Sequence, residues 1–105
     1  MGKMQRNKGA NFEREVVNKH KKWGIESQRV PLSGATSFAK HDVIISGLSF
    51  ECKIRGDGFK QIYKWLDDNP DGLMCRADKK EMFVILPEST WIQFLEWSKI
   101  KKSDR

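Results

Sequence analysis

The sequence predicts one α/β domain in which a central mixed β-sheet is flanked by helices. At 105 residues the chain has the size of a single domain, residues 1–105. Segments with helical spacing alternate with short apolar runs of strand length, and Gly, Pro, Asn or Asp residues separate them. The predicted order of elements is therefore helix, three strands, helix, two strands and helix (α-β-β-β-α-β-β-α).

The first helix is predicted to run from Asn11, its N-cap, to about Trp23, with Gly24 as the C-terminal stop. On a helical wheel Glu13 falls within the apolar arc of this helix. Two interpretations of that position are open. The carboxylate either pairs with a basic group at the edge of the arc, or it points into a functional site at the edge of the core.

The remaining elements are predicted from the same two periodicities. In chain order they are a weak strand over 26–32, a loop over 33–40, hairpin strands at about 41–46 and 49–55, a helix within 57–69, strands within 73–77 and 81–86, and a helix over 87–100. Ser89 or Thr90 is expected to cap the last helix.

The charge balance favours a polyanionic partner. The net charge is +6 and the pI is about 9.5, which suits nucleic acid. Residues 1–10 and 101–105 are basic and lack periodicity, so they are expected to be flexible tails. Cys52 and Cys75 lack zinc-site spacing and are interpreted as reduced core residues. The longest apolar runs are too short to span a bilayer, and we expect a cytoplasmic protein that uses neither a membrane nor a small-molecule substrate.

The segment HDVIISGLSFECKIRGD, residues 41–57, carries charges inside two predicted strands. Strand interiors disfavour Asp and Glu, and a buried charge is costly unless it is paired or bound to a metal. Side chains on a strand alternate between faces, so Glu51 and Lys53 share one face. The placement of Asp42 depends on the turn between the strands.

A loop of even length places Asp42 on the same face as Glu51 and Lys53. Gly47-Leu48 as a two-residue loop, or 46–49 as a four-residue one, would pair Asp42 with Lys53. A three-residue loop would turn Asp42 to the opposite side.

Two neighbouring carboxylates need compensating positive charge, either from one lysine or, with more charge and better geometry, from a divalent cation. At a separation of about 5 Å, Asp42 and Glu51 would repel each other by roughly 3 kcal/mol at an effective dielectric constant near 20. Carboxylates are hard oxygen ligands, so Mg²⁺ is the expected ion and Mn²⁺ should substitute for it. A backbone carbonyl and water molecules would complete the coordination shell.

Asp42 and the tripeptide Glu51-Cys52-Lys53 resemble the signature of the PD-(D/E)xK nucleases. The run KGANFERE, then RVPLSGA, then the hairpin resemble the archaeal-type Holliday junction resolvases and their phage-like relatives over about residues 8–66. This resemblance implies a restriction-endonuclease-like core and a metal-dependent, structure-selective endonuclease. It also implies symmetric cutting of four-way junctions in DNA recombination and repair.

Matched residue by residue, the resemblance implies a set of site residues. They are Glu13 as a catalytic acid and metal ligand from the helix, Ser33 as a catalytic serine of the loop, Asp42 and Glu51 as catalytic and metal-binding acids with the carbonyl oxygen of Cys52 as a further ligand, and Lys53 as the catalytic lysine. His41 stands where the signature has proline. Because adjacent strand residues face opposite sides, it is interpreted as a surface or core histidine.

DNA contacts are expected from basic and small residues around this site. The candidates are Lys3, Arg6, Lys8, Arg29, Ser33, Gly34, Lys40, Arg55, Lys60 and Gln61. Two symmetric cuts need two sites, which predicts a homodimer, with an isologous patch at Trp91, Phe94 or Trp97 and a tryptophan-rich core as alternative uses of those residues. The alternative functions are a phage-type nuclease acting on flaps, nicks or duplex DNA, and a DNA-binding module of the same fold without catalysis.

Overall fold

The computed structural model describes residues 2–30 and 41–103 of the chain. Its elements are α1 Gly2–Lys22, β1 Ser27–Arg29, β2 Val43–Ile45, β3 Leu48–Phe50, α2 Lys60–Trp65, β4 Leu73–Cys75, β5 Phe83–Ile85 and α3 Glu88–Ser103. The predicted α/β class and the order α-β-β-β-α-β-β-α are confirmed.

The elements divide between two compact units, Met1–Gly56 and Asp57–Arg105. In the first unit β1, β2 and β3 form an antiparallel sheet in that order, and in the second β4 pairs antiparallel with β5. The sequence predicts one mixed sheet, but all strand pairs among the described residues are antiparallel and belong to two sheets. Parallel pairing requires a long crossover connection, whereas the short connections between β2 and β3 and between β4 and β5 favour antiparallel pairing.

Helix α1 begins well before the predicted start. Residues 2–10, expected to be a flexible tail, are helical, and at the other end of the chain residues 101–103 belong to α3. Lys, Met, Gln and Arg in the first turns favour a helix, and no proline interrupts them. The predicted N-cap at Asn11 is therefore wrong. Asn11 lies inside α1, where its Oδ1 accepts a hydrogen bond from Nη1 of Arg14 at 2.9 Å.

The predicted stop of α1 at Gly24 is confirmed. The N–H of Gly24 donates to the carbonyl of Lys21 at 2.9 Å, and the N–H of Ile25 donates to the carbonyl of His20 at 2.8 Å. These two bonds form a Schellman motif. Gly24 adopts a φ of 77°, a left-handed conformation that strains residues with a Cβ.

The hairpin closes through Ser46 and Gly47, a two-residue loop. Val43 pairs with Phe50 and Ile45 with Leu48, so the predicted even loop length is confirmed. The predicted two-residue loop, Gly47-Leu48, is displaced by one residue, and the predicted register is wrong by two residues. Ser46 and Gly47 have φ values of 51° and 85°, as a type I′ turn requires at both central positions, and glycine meets that requirement at the second position most easily.

The core of the first unit lies between α1 and the sheet. Val17 of α1 packs with Val43 and Ile45 of β2. Cys52, in the segment after β3, packs against this cluster. The hydroxyl of Ser27 donates to the carbonyl of Val17 at 2.9 Å, which satisfies a buried polar group on β1. The helix is thereby held across one face of β1 and β2.

Replacing Val43 by alanine is expected to destabilise the protein by about 2 kcal/mol, because the side chain is fully buried and its loss leaves a cavity. Val84→Ala is the matched control, since Val84 is 49% exposed and should change the free energy of unfolding by less than about 0.5 kcal/mol. Urea denaturation of both variants tests this. Equal losses would contradict the placement of the core.

The second unit differs from prediction at its helix ends. Helix α2 ends at Trp65, before the NPDG segment that was expected to stop it. Helix α3 begins at Glu88, so the predicted caps Ser89 and Thr90 are wrong and lie in its first turn. None of the helices in the described parts of the chain combines the length and apolar character that crossing a membrane would need.

Candidate active site

Asp42 lies where the pairing of β2 with β3 ends. Its N–H donates to the carbonyl of Phe50 at 3.0 Å, although the register of the two strands pairs Phe50 with Val43. Its carbonyl accepts the N–H of Val30 at 3.0 Å, so both neighbouring chain segments hold its backbone. In place of a continued ladder, Oδ2 of Asp42 accepts the N–H of Cys52 at 2.7 Å. The half-buried carboxylate is thus fixed beside the peptide that joins Glu51 to Cys52.

Glu51 lies between two positively charged or protonatable side chains. Its Oε1 is 3.2 Å from Nδ1 of His41, and its Oε2 is 3.1 Å from Nζ of Lys53. The hydrogen bond with His41, followed by the hydrogen bond and charge of Lys53, lowers the pKa of Glu51 below its ordinary value. All three side chains are about half exposed, so water weakens each contact. A competing ligand can therefore replace either partner at modest cost.

Glu13 forms an ion pair with Arg29. Oε1 of Glu13 accepts a hydrogen bond from Nε of Arg29 at 3.1 Å and lies 3.1 Å from its Nη2. The Glu13 side chain is only 17% exposed, and such a partly buried carboxylate needs a partner. The pair corresponds to the first of the two interpretations of Glu13, and its role as a metal ligand stays a prediction. It also shows that Arg29, a predicted DNA contact, is engaged within the protein.

The surroundings of the Cys52 thiol disfavour its charged form. Burial, followed by the negative charges of Asp42, Glu13 and Glu51, raises the pKa of Cys52 to about 11. These charges belong to α1, to the residue before β2 and to the residue after β3, and among them Asp42 accepts a hydrogen bond from the N–H of Cys52. Sequence reasoning expected these three acids to converge on a metal ion, and that convergence stays a prediction.

The three acids do not, however, form a ready-made metal cluster. In the part of the chain that the structure describes, no three His, Cys, Asp or Glu side chains are grouped closely enough to hold a metal ion. Each carboxylate instead contacts a donor of its own. Oε2 of Glu13 and Oδ1 of Asp42 accept no hydrogen bond from any described residue.

The alkylation of Cys52 tests this arrangement without any assay of activity. In a Cys75→Ser background, we expect the rate with iodoacetamide to be low at neutral pH and to rise toward pH 11, because the thiolate reacts. Asp42→Asn should shift the profile to lower pH, since one negative charge is removed. Asp68→Asn, at an exposed acid of the second unit, is the control. A profile unchanged by Asp42→Asn would place the carboxylate away from Cys52.

The other predicted DNA contacts fall in several places. Ser33, Gly34 and Lys40 lie outside the described residues, and the backbones of Lys3 and Arg6 lie in the first turns of α1. Lys8 and Arg55 line one cavity with Cys52. In the second unit Lys60 pairs with Asp57 at 3.0 Å, and Gln61 is exposed.

Sequence reasoning missed the contact between His41 and Glu51. It relied on strict alternation of neighbouring strand residues, which holds only within a regular ladder. Because the ladder ends at Asp42, His41 can turn toward the same side as Glu51. The signal available in the sequence was the placement of His41 directly before the strand.

The fold and the site together define a class of protein. An α/β domain with an aspartate before one strand of a hairpin and a Glu-x-Lys tripeptide after the other is the arrangement expected of a PD-(D/E)xK nuclease. Residues 4–102 match the model of a protein family described as "Phage putative PDDEXK endonuclease", and the chain belongs to this family. Searches of curated proteins and of solved structures each find no match to it.

Family membership places the chain in the PD-(D/E)xK superfamily and indicates a nuclease. A nuclease family implies DNA as the substrate, and PD-(D/E)xK nucleases generally use divalent metal ions. The match does not extend to archaeal-type Holliday junction resolvases in particular. The predicted resolvase activity is therefore a matter of proposal.

Proposed function

We propose that this protein is a metal-dependent DNA endonuclease that hydrolyses phosphodiester bonds at a site formed by Asp42, Glu51 and Lys53, with Glu13 as a further acid. The observation that carries the proposal is the hydrogen bond that fixes Oδ2 of Asp42 to the N–H of Cys52 at 2.7 Å, directly beside Glu51 and the lysine that contacts it at 3.1 Å. Four-way junctions are the proposed substrate. The proposed place of action is the cytoplasm, that of the host cell if a phage encodes the protein.

The donor set suits Mg²⁺ or Mn²⁺. Asp42 and Glu51 offer carboxylate oxygens, Cys52 offers a backbone carbonyl, and hard cations prefer such oxygen ligands. Oδ1 of Asp42 and Oε2 of Glu13 accept no hydrogen bond from the described residues and are available for a ligand. Glu51 would exchange one of its exposed contacts, with His41 or with Lys53, to take part.

A bound divalent cation supplies a water of lowered pKa and neutralises charge on the phosphate. The residues of the chain then divide the remaining tasks. Asp42 is held in place by its hydrogen bond to the N–H of Cys52, so its carboxylate keeps a fixed orientation. Lys53 carries an ammonium group that orients the attacking water or stabilises negative charge developing on the phosphate.

The resemblance to resolvases supports a four-way junction as substrate, with a homodimer that places two sites about a two-fold axis. Phe94 and Trp97 of α3 are 55% and 56% exposed and belong to the surface suggested for that dimer. The family description supports a second candidate equally well, namely a phage-type nuclease for flaps, nicks or duplex DNA.

The test is a cleavage assay with and without Mg²⁺ on four DNAs of matched length: a four-way junction, a flap, a nicked duplex and an intact duplex. The proposed function predicts cutting only with the cation. A junction preference that persists at salt concentrations which release nonspecific duplex would assign the resolvase activity. Preferential cutting of the other substrates would assign the phage-type alternative.

Absence of metal-dependent products, combined with salt-sensitive DNA binding, would overturn the nuclease and leave a DNA-binding module of the same fold. Sedimentation of the protein with and without the junction tests the dimer separately. A monomer that nevertheless cuts both strands symmetrically would contradict the proposed two-fold arrangement.

A further inference from the structure

A cavity of about 460 Å³ in the first unit lies between α1 and the segment that follows β3, lined by Lys8, Gly9, Cys52, Ile54, Arg55 and Gly56. We propose that it binds a nucleotide of the DNA next to the bond that is cut. The phosphate of that nucleotide would lie on Lys8 and Arg55, and its sugar and base against Cys52 and Ile54. This proposal rests on the proposed function and adds a nucleotide subsite to it.

The position of the cavity links it to the candidate active site. Cys52 lines the cavity, and its backbone N–H is the group that binds Oδ2 of Asp42. A nucleotide in the cavity would therefore be a close neighbour of the phosphodiester group at Asp42. The volume lies within the range of about 300 to 1,000 Å³ that is typical of pockets for small ligands.

The lining combines two kinds of surface that a nucleotide needs. Lys8 and Arg55 bring positive charge, and neither forms an ion pair with any described residue. Nη1 of Arg55 donates to the carbonyl of Ile54 at 2.8 Å, which orients the guanidinium and leaves its other N–H groups for a phosphate. The half-buried side chains of Cys52 and Ile54 provide an apolar wall.

Gly9 and Gly56 also line the cavity and leave it open. A Cβ built on Gly9 or on Gly56 would meet no atom of a described residue within 4 Å, and neither glycine has a positive φ. Neither packing nor backbone conformation therefore requires glycine at these positions. In the interior of a helix such as α1, glycine destabilises the helix relative to alanine. What the missing side chains do provide is room, which lets a DNA backbone approach the helix closely.

The test measures binding of a fluorescein-labelled four-way junction in EDTA, where no cleavage occurs. Lys8→Ala should weaken binding several-fold and lower the slope of log affinity against log salt by about one, as for a lost phosphate contact. Gly9→Leu should weaken binding about tenfold by filling the cavity, with an unchanged or higher Tm.

The matched controls are Lys21→Ala and Asn18→Leu, which change exposed positions of the same helix outside the cavity. Both should bind within about twofold of wild type. The proposal is overturned by a folded Gly9→Leu protein that binds like Asn18→Leu, or by a Lys8→Ala protein that binds like Lys21→Ala. A free nucleotide would offer the cavity the same phosphate, sugar and base as a nucleotide of the DNA. Competition by micromolar deoxynucleoside monophosphate would assign the cavity to it and overturn the DNA subsite.

Because these measurements need neither metal nor cleavage, the two proposals fail separately. Weaker binding by Gly9→Leu together with cutting that Asp42→Asn leaves intact would retain the cavity and remove the proposed catalytic site. Unchanged binding by both cavity variants, with cutting abolished by Asp42→Asn, would remove the nucleotide subsite and retain the proposed catalytic site.

Discussion

Replacing Asp42 by asparagine is expected to reduce Mg²⁺-dependent cleavage of a DNA four-way junction about a thousandfold, while DNA binding is retained. A ligated cation contributes several kcal/mol of charge stabilisation in the transition state, and about 4 kcal/mol corresponds to that change in rate. Asparagine has nearly the same shape, and its Oδ1 can still accept the N–H of Cys52 that Oδ2 of Asp42 now accepts. The change therefore removes a charge without removing the hydrogen bond.

The experiment compares single-turnover cleavage rates of wild type, Asp42→Asn and the control Asp68→Asn. Binding of the same junction in EDTA and Mn²⁺ affinity are measured beside them. Loss of cleavage together with weaker Mn²⁺ binding is expected for Asp42→Asn only. Cleavage by Asp42→Asn at the wild-type rate would end the proposal that this carboxylate holds the catalytic ion.

Much of the fold could be predicted because local signals and tertiary packing agree. The stop of α1 at Gly24 follows from the left-handed conformation that a Schellman motif needs. The hairpin follows from two apolar runs separated by a short segment that contains Gly47. The start of α1 could not be predicted because Asn11 has the features of a cap, and helix formation by the residues before it depends on propensities that differ only slightly.

The candidate site was predicted at the level of residue types but not of contacts. The expectation of an even number of loop residues placed Asp42 on the same face as Glu51 and Lys53, although the predicted register was wrong by two residues. The hydrogen bond of Asp42 to the N–H of Cys52 arises from an irregular end of the ladder, which no periodicity describes. For the same reason the contact of His41 with Glu51 was missed.

Glu13 illustrates a different limit of sequence reasoning. A carboxylate on an apolar arc must be compensated, but the pattern does not say by which group. The structure provides Arg29 from β1, a residue that sequence reasoning had assigned to DNA. The partner was not predictable because it depends on which strand packs against α1.

Replacing Lys53 by methionine is expected to reduce cleavage about 10² to 10³-fold, the loss typical when one preorganised donor is removed from a transition state. Methionine keeps an unbranched side chain of similar length and removes the ammonium group. Lys53 also contacts Oε2 of Glu51 at 3.1 Å. The substitution can therefore act through Glu51 as well as directly on the phosphate, and the experiment has to separate the two effects.

The pKa of Glu51, measured by NMR titration, makes that separation. It lies below the ordinary value through the hydrogen bond with His41 and then through Lys53, so Lys53→Met and His41→Ala should each raise it. His41→Ala removes the hydrogen bond that is the largest single cause of the lowered pKa and leaves the ammonium group in place. If Lys53 acts on the phosphate, His41→Ala should cut nearly as fast as wild type, whereas Lys53→Met should not. Equal losses in both variants would show that the lysine acts by positioning Glu51, and wild-type rates in Lys53→Met would remove it from the site.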